Sequence, residues 1–199
     1  MDYPTTTAVL LAAGRGTRFG GNKLEAMLGD NMLGLHAAQT LAGAECGHLF
    51  AVHNPAHRAL AAALTTAGFT LIDNQNADAG LSHSLALAAK AALTTDAGAL
   101  LICLADMPLV TPDHLSALVA AHHANPDRII ASQVDGQVDE IRSPPAIFPR
   151  AMWGTLASFG GDSGARELLK DALCINTPAH VLVDVDTPAA LAAIKHVNN

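Results

Sequence analysis

Residues 10–23, Leu10-Leu11-Ala12-Ala13-Gly14-Arg15-Gly16-Thr17-Arg18-Phe19-Gly20-Gly21-Asn22-Lys23, gather the groups best suited to hold an anion. Glycines at 14, 16, 20 and 21 let main-chain N–H groups approach a ligand with no Cβ in the way. Successive inward-turned N–H groups make a concave anion site, to which Arg15, Arg18 and Lys23 add charge and donors. The chain has 11 Lys and Arg, yet none precedes Arg15 and none lies between Lys23 and Arg58. That focus suits a polyphosphate. Two acidic stretches complement it: Ala105-Asp106-Met107-Pro108 and Asp184-Val185-Asp186-Thr187-Pro188, each directly after an apolar run. Mg²⁺ sites take one or two carboxylates plus substrate phosphates, so Asp106 with Asp186 or Asp184 could hold the ion against a bound triphosphate. Each acid has a plainer use as a turn or helix cap.

The elements that must position these groups follow from the hydrophobic pattern. Ala8–Ala13 reads as a buried strand that stops at Gly14. Leu33–Leu41 has helical spacing and ends at Gly43. Strand His48–His53, helix His57–Ala67, strand Phe69–Ile72, a polar loop over 73–80 and helix Leu81–Leu93 follow in alternation. Gly98–Leu104 is continuously apolar, as the central strand of a parallel sheet should be. This alternation predicts an α/β fold with one doubly wound, mostly parallel sheet, in which ligands bind outside the carboxyl ends of the strands. The texture changes after Arg128. A strand over Ile129–Val134 leads to Arg142-Ser143-Pro144-Pro145-Ala146-Ile147-Phe148-Pro149, whose three prolines confine any strand to an edge or a short piece. Helices are expected over Ala151–Leu156 and Gly164–Ala172, a strand over Val181–Val185, and a last helix from Pro188 to His196. Residues 1–199 then form one domain, with a nucleotide-binding half over 1–127 and an acceptor-binding elaboration over 128–199.

With 199 residues, 50% hydrophobic and 15% charged, the chain is long and apolar enough for a real core and is not disordered. A formal net charge of −7 argues against a nucleic-acid surface. No apolar run reaches the length of a membrane span, and Met1-Asp2-Tyr3-Pro4 lacks the features of a signal peptide. Cys46, Cys103 and Cys174 are scattered and odd in number, with no disulfide framework or zinc spacing. A cytoplasmic protein is expected.

The loop is neither a Walker A sequence nor a dinucleotide fingerprint. It resembles the signature L-A-x-G-x-x-x-R-[FM]-G-x-x-K of the MobA-like nucleotidyltransferases, with Gly16 where many members carry Ser. Leu104-Ala105-Asp106-Met107-Pro108 and Asp184-Val185-Asp186-Thr187-Pro188 resemble the family's L-x-D-M-P and D-[VI]-D-T-P. The resemblance implies a nucleotide-diphospho-sugar-transferase-like fold and Mg²⁺ on Asp106 and Asp186, with Asp184 in reserve. It implies catalytic roles for Arg18, Lys23 and Asp106. A nucleotide site would be built from Leu11, Ala12, Ala13, Gly14, Arg15, Gly16 and Lys23 with Gly80, Ser82 and Ser84. Gly161-Asp162-Ser163-Gly164-Ala165-Arg166 resembles the G-D-x-G-A-R of cofactor cytidylyltransferases, which implies acceptor contacts at Asp162, Arg166 and Arg142. Relatives that transfer GMP read L-A-G-G where this chain reads Leu11-Ala12-Ala13-Gly14. The implied reaction is CMP transfer from CTP to the phosphate of a molybdopterin-type acceptor, with a molybdoenzyme or its chaperone receiving the product. GTP as donor, a sugar- or polyol-phosphate as acceptor, and a non-catalytic nucleotide-binding maturation factor remain as alternatives. Where relatives often have G-H-P, this chain has Ser143-Pro144-Pro145.

Overall fold

A computed structural model of the chain describes residues 5–14, 16–136, 141–159 and 164–195. Four parallel strands form its centre: β1 (Thr6–Ala12), β4 (His48–His53), β5 (Thr70–Asp73) and β6 (Ala99–Leu104). A two-residue-arm hairpin, β2 (Met27–Leu28) and β3 (Asn31–Met32), precedes helix α1 (Leu33–Ala42). Helices α2 (Arg58–Thr66), α3 (Gly80–Ala92) and α4 (Pro112–Ala124) make the crossovers. Strands β7 (Ile130–Val134), β8 (Arg142–Pro149) and β9 (Leu173–Thr177) complete one seven-stranded sheet in the order β5-β4-β1-β6-β8-β7-β9. Short helices α5 (Trp153–Ala157) and α6 (Gly164–Leu169) and the last helix α7 (Pro188–Lys195) finish the chain.

The alternation of β1 explains the double winding. Ala8, Leu10 and Ala12 enter one core with Leu41 of α1, Leu60 and Leu64 of α2, and Leu115 and Leu118 of α4. Val9 and Leu11 enter the other with Leu85, Ala88 and Ala89 of α3 and with Trp153 and Leu156 of α5. A strand apolar on both faces must be covered on both. Among the described residues no helix is long and apolar enough to cross a membrane.

The structure departs from expectation in the second half. β8 is eight residues long and lies inside the sheet, antiparallel to both β6 and β7, instead of being short or at an edge. Pro144 and Pro145 are tolerated because the ladders pass them by, and Pro149 sits at the very end of β8, opposite Ala99. β6 pairs with residues 146–149 only, while β7 pairs with Ala146 and Ile147 and then, after a bulge, with Ser143 and Arg142. Pro144 and Pro145 therefore fall where no N–H is required. A side-chain relay replaces the missing main-chain bonds. Ser132 Oγ donates to the Pro145 carbonyl at 2.6 Å and accepts from His114 Nε2 at 2.7 Å, all in the interior. Burial drives the His114 pKa down, consistent with a neutral ring whose Nε2 carries the proton.

The expected strand over Val181–Val185 is also absent. Ala179–Leu182 is a 3₁₀ turn, and the following residues cross the carboxyl ends of the strands, where a backbone bond from Val185 N to Asp106 O (2.9 Å) helps dock them. The last strand is instead β9, a half-exposed edge strand parallel to β7, and α6 stops at Leu169, before Ala172.

Candidate functional site

Chain order turns from β5 back across β1 to β6, so β1 and β6 are neighbours whose following loops leave the same edge. This is the switch point at which an open α/β sheet forms its crevice. The glycine loop enters from β1, and Ala105-Asp106 enters from β6, held by a bond from Ala105 N to Leu11 O at 3.0 Å.

Within the crevice Lys23 is the central group. It begins a 3₁₀ turn, Lys23–Glu25, and only 7% of its side chain is exposed. Its Nζ donates to Asp106 Oδ2 at 2.7 Å and to Asp186 Oδ1 at 2.8 Å, and Arg18 Nη1 donates to Asp186 Oδ2 at 2.7 Å. Burial alone would lower the Lys23 pKa, but the charges and hydrogen bonds of Asp106 and Asp186 outweigh it and the net shift is upward. The Lys23 hydrogen bond, with the charges of Lys23 and Arg18, holds the Asp186 carboxyl below its usual range. The loop reaches this shape through Gly16, whose φ is +60°. A Cβ there would lie 2.7 Å from Gly21 O and 3.1 Å from Lys23 Cγ, so the loop closes over the lysine stem only with glycine. On the other side Val185 is fully buried among Leu28, Leu33, Leu191 and Ile194, which fixes the two acids that flank it.

Those two acids face different spaces. Asp186 joins Gly14, Gly16, Thr17, Arg18 and Lys23 around a small cleft of about 140 Å³. Asp184 lines a much larger cavity of about 680 Å³ beside it. That cavity is mainly apolar, walled by Leu11, Leu81, Leu85, Leu104, Met107 and Phe148, with Arg142, Ser143 and Lys170 among its polar groups. Arg142 also binds the Lys170 carbonyl and donates from Nε to Cys174 Sγ at 3.1 Å.

Ala12 and Ala13, at the end of β1, are buried in the first and second cores respectively, and Gly14 is exposed at the cleft. Gly80 starts α3 at φ +81°, ψ −174°, a conformation open to glycine. Ser82 and Ser84 are buried, and Ser84 Oγ accepts from Asn74 Nδ2 at 3.0 Å, which ties the β5–α3 loop to the helix. Arg15 and Asp162 lie outside the described residues, as does the Arg166 side chain. The sequence reading missed one pair. His53 and Asp73 close β4 and β5 in register with Ala12 and bond to each other at 2.8 Å, on the same edge as the crevice. Polar residues ending consecutive strands were the signal.

Among the described residues there is no cluster of three or more His, Cys, Asp or Glu side chains that could alone hold a metal. Asp106 and Asp186 nevertheless fit a shared cation, because one ammonium already sits within 2.8 Å of both. A hard oxygen pair completed by phosphate oxygens is the donor set that Mg²⁺ accepts.

Residues 8–180 match the MobA-like NTP transferase domain family. The purine catabolism protein PucB of Bacillus subtilis is 30% identical over 201 residues, covering 94% of this chain and 95% of that protein. The phosphoenolpyruvate guanylyltransferase of Sphaerobacter thermophilus is 37% identical over 56% of this chain and 54% of its own length. Among solved structures, Rv0371c of Mycobacterium tuberculosis superimposes with a TM-score of 0.81 at 24% identity, over 98% of this chain and 100% of that one. A second structure of that protein is a complex with manganese. The family match over most of the chain, with the relative that spans nearly all of it, identifies this protein as a member of the MobA-like NTP transferase family and a nucleotidyltransferase.

Proposed function

We propose that the protein transfers CMP from CTP to the phosphate of a molybdopterin-type acceptor, with release of pyrophosphate, in the cytoplasm. The observation that carries this reading is the meeting of Arg18, Lys23, Asp106 and Asp186 at the switch point, between a small cationic cleft and a large apolar cavity. The triphosphate lies in the cleft, against Gly14, Gly16, Arg18 and Lys23. The base lies along the edge made by Leu11, Ala12 and Ala13, with the His53–Asp73 pair and the Gly80-to-Ser84 segment on its flanks. The acceptor occupies the large cavity, between the 1–127 and 128–199 parts of the chain, with Arg142 toward its anionic groups.

A phosphate monoester oxygen of the acceptor attacks the α-phosphorus of the triphosphate. A new P–O bond forms, the α–β bridge breaks, and pyrophosphate departs with the electron pair. Phosphate oxygens are already anionic at neutral pH, so no side-chain base is required. Arg18 and Lys23 orient the triphosphate and stabilise the charge that develops on the leaving group, so catalysis is positioning and electrostatics. Mg²⁺, held by Asp106 and Asp186, would supply charge neutralisation at the phosphates. That Rv0371c forms a complex with manganese supports a divalent ion here.

The leucine, methionine and phenylalanine walls of the cavity suit the flat face of a heterocycle, while Arg142, Ser143, Lys170 and Asp184 supply polar partners at its edges. Pyrophosphate release measured with each triphosphate in turn, with and without molybdopterin, tests the reading. CTP with molybdopterin should be the productive pair. Turnover with GTP alone reassigns the base, turnover with a sugar-phosphate alone reassigns the acceptor, and binding without any turnover leaves a maturation factor.

A further inference from the structure

Lys23 stands where a metal would stand. Its ammonium bridges Asp106 and Asp186 at 2.7 and 2.8 Å, it is nearly inaccessible, and Gly16 is packed against its stem. With Arg18 on the second oxygen of Asp186, the two cations and two carboxylates of this cluster balance one another. Three of the four carboxylate oxygens are engaged. A divalent ion arriving alone would have to displace an ammonium from both acids and leave it buried without a counter-charge, which is costly. A triphosphate arriving with the ion changes the balance, since its oxygens offer Lys23 a new anionic partner.

We propose that Lys23 is a resident counter-ion that blocks metal entry until a triphosphate draws it away, so that metal and nucleotide bind as a coupled pair and the metal-only state is suppressed. The inference rests on the reading of Asp106 and Asp186 as the metal pair. Its consequence is protection of the crevice: two bare carboxylates never face each other, and the site does not fill with a divalent cation that lacks its nucleotide. Lys23 thus has two anionic partners in turn, the carboxylates at rest and the phosphates in the complex. Coupling of this kind is commonly worth 5–150-fold in affinity, by about 1–3 kcal/mol.

Mn²⁺ binding, read by electron paramagnetic resonance of the free ion, tests this without reference to turnover. Wild-type protein should bind Mn²⁺ weakly in the absence of nucleotide, and Lys23→Met should bind it at least about tenfold more tightly. Lys23→Arg should stay weak. Arg18→Met removes an equal charge from Asp186, but at a side chain 77% exposed, and should tighten binding by about fivefold or less. A Lys23→Met variant no tighter than Arg18→Met overturns the proposal, because long-range charge then explains the effect. If Lys23→Met is unstable, the wild-type protein still decides the matter. It has four lysines, so the Lys23 ammonium can be assigned by ¹⁵N NMR. That signal should persist with Mg²⁺ alone and move with Mg²⁺ and CTP together. Movement with Mg²⁺ alone refutes the resident role. Asp106→Asn separates the two claims: loss of Mn²⁺ binding in the presence of CTP supports the metal pair whatever Lys23 does, and its retention removes that pair.

Discussion

Asp106→Ala places the whole reading of the crevice at risk. The side chain is mostly buried and accepts from Lys23, which keeps its second bond to Asp186 when Asp106 is truncated. The variant therefore does not orphan the lysine, and the stability loss is that of one partly solvated charge-assisted hydrogen bond, about 1–2 kcal/mol. For a domain of this size that lowers Tm by about 2–8 °C. The backbone bond from Val185 N to Asp106 O is untouched, so the crossing segment stays docked and unfolding stays cooperative. Catalysis should suffer far more. Removing one preorganised electrostatic group at a developing charge typically costs about 10²–10³-fold in kcat. Here Asp186 would be left to hold a metal alone. Pyrophosphate release and calorimetric melting, run on one preparation, check both halves. Turnover equal to wild type would remove Asp106 from the mechanism. A Tm loss far beyond the stated range would mean that the lost turnover reports a damaged fold.

With CTP and GTP at equal concentration, the CMP product should exceed the GMP product by at least about tenfold in kcat/KM, equivalent to about 1.4 kcal/mol. Ala13→Gly should narrow that gap and also lower Tm, because the Ala13 methyl is packed in the core with Leu85; a GMP excess in the wild type, resolved by mass, refutes the base assignment. Ser132→Ala leaves the Pro145 carbonyl and His114 Nε2 unpaired in the interior and should cost about 2–6 kcal/mol, at about 1–3 kcal/mol per buried group. The bulge it releases carries Ser143 and Pro144 at the cavity wall, so KM for the acceptor should rise more than kcat falls; denaturant stability equal to wild type refutes the relay. Burial lowers the pKa of His57, His114 and His122 below the ordinary 6.5, so the unfolded chain takes up protons first as pH falls. Stability should therefore decline below pH 6.5 until these folded-state groups titrate, and an unchanged Tm between about pH 7.5 and 5.5 contradicts their buried neutral state.

Local signals made the first half of the fold legible. Continuous apolar runs for β1 and β6, and glycines at helix ends, depend only on neighbours in sequence. The second half depends on partners far away. Nothing in residues 142–149 says that β6 will pair only beyond Pro145, or that a hydroxyl from Ser132 will serve the carbonyl left over; rules for proline in strands assume that every position needs its ladder bond. The apolar run over 181–185 read as a strand for a related reason. Val183 and Val185 pack against α7 and the β2–β3 hairpin rather than in a sheet, and periodicity cannot separate those two kinds of burial.

The site divides along the same line. Spacing brought Arg18 and Lys23 into one loop, and the end of β6 picked out Asp106, whereas Asp186 was picked out by an apolar run that is not a strand in the structure. What composition cannot carry is which charges meet when no ligand is present. Lys23 lies 83 residues from Asp106 and 163 from Asp186, and a lysine chosen for phosphate binding looks the same in sequence whether it waits in solvent or between two acids. The structure makes it wait between them. A cation site and an anion site that share one lysine cannot both be free, and that competition makes the order of binding a property of the fold.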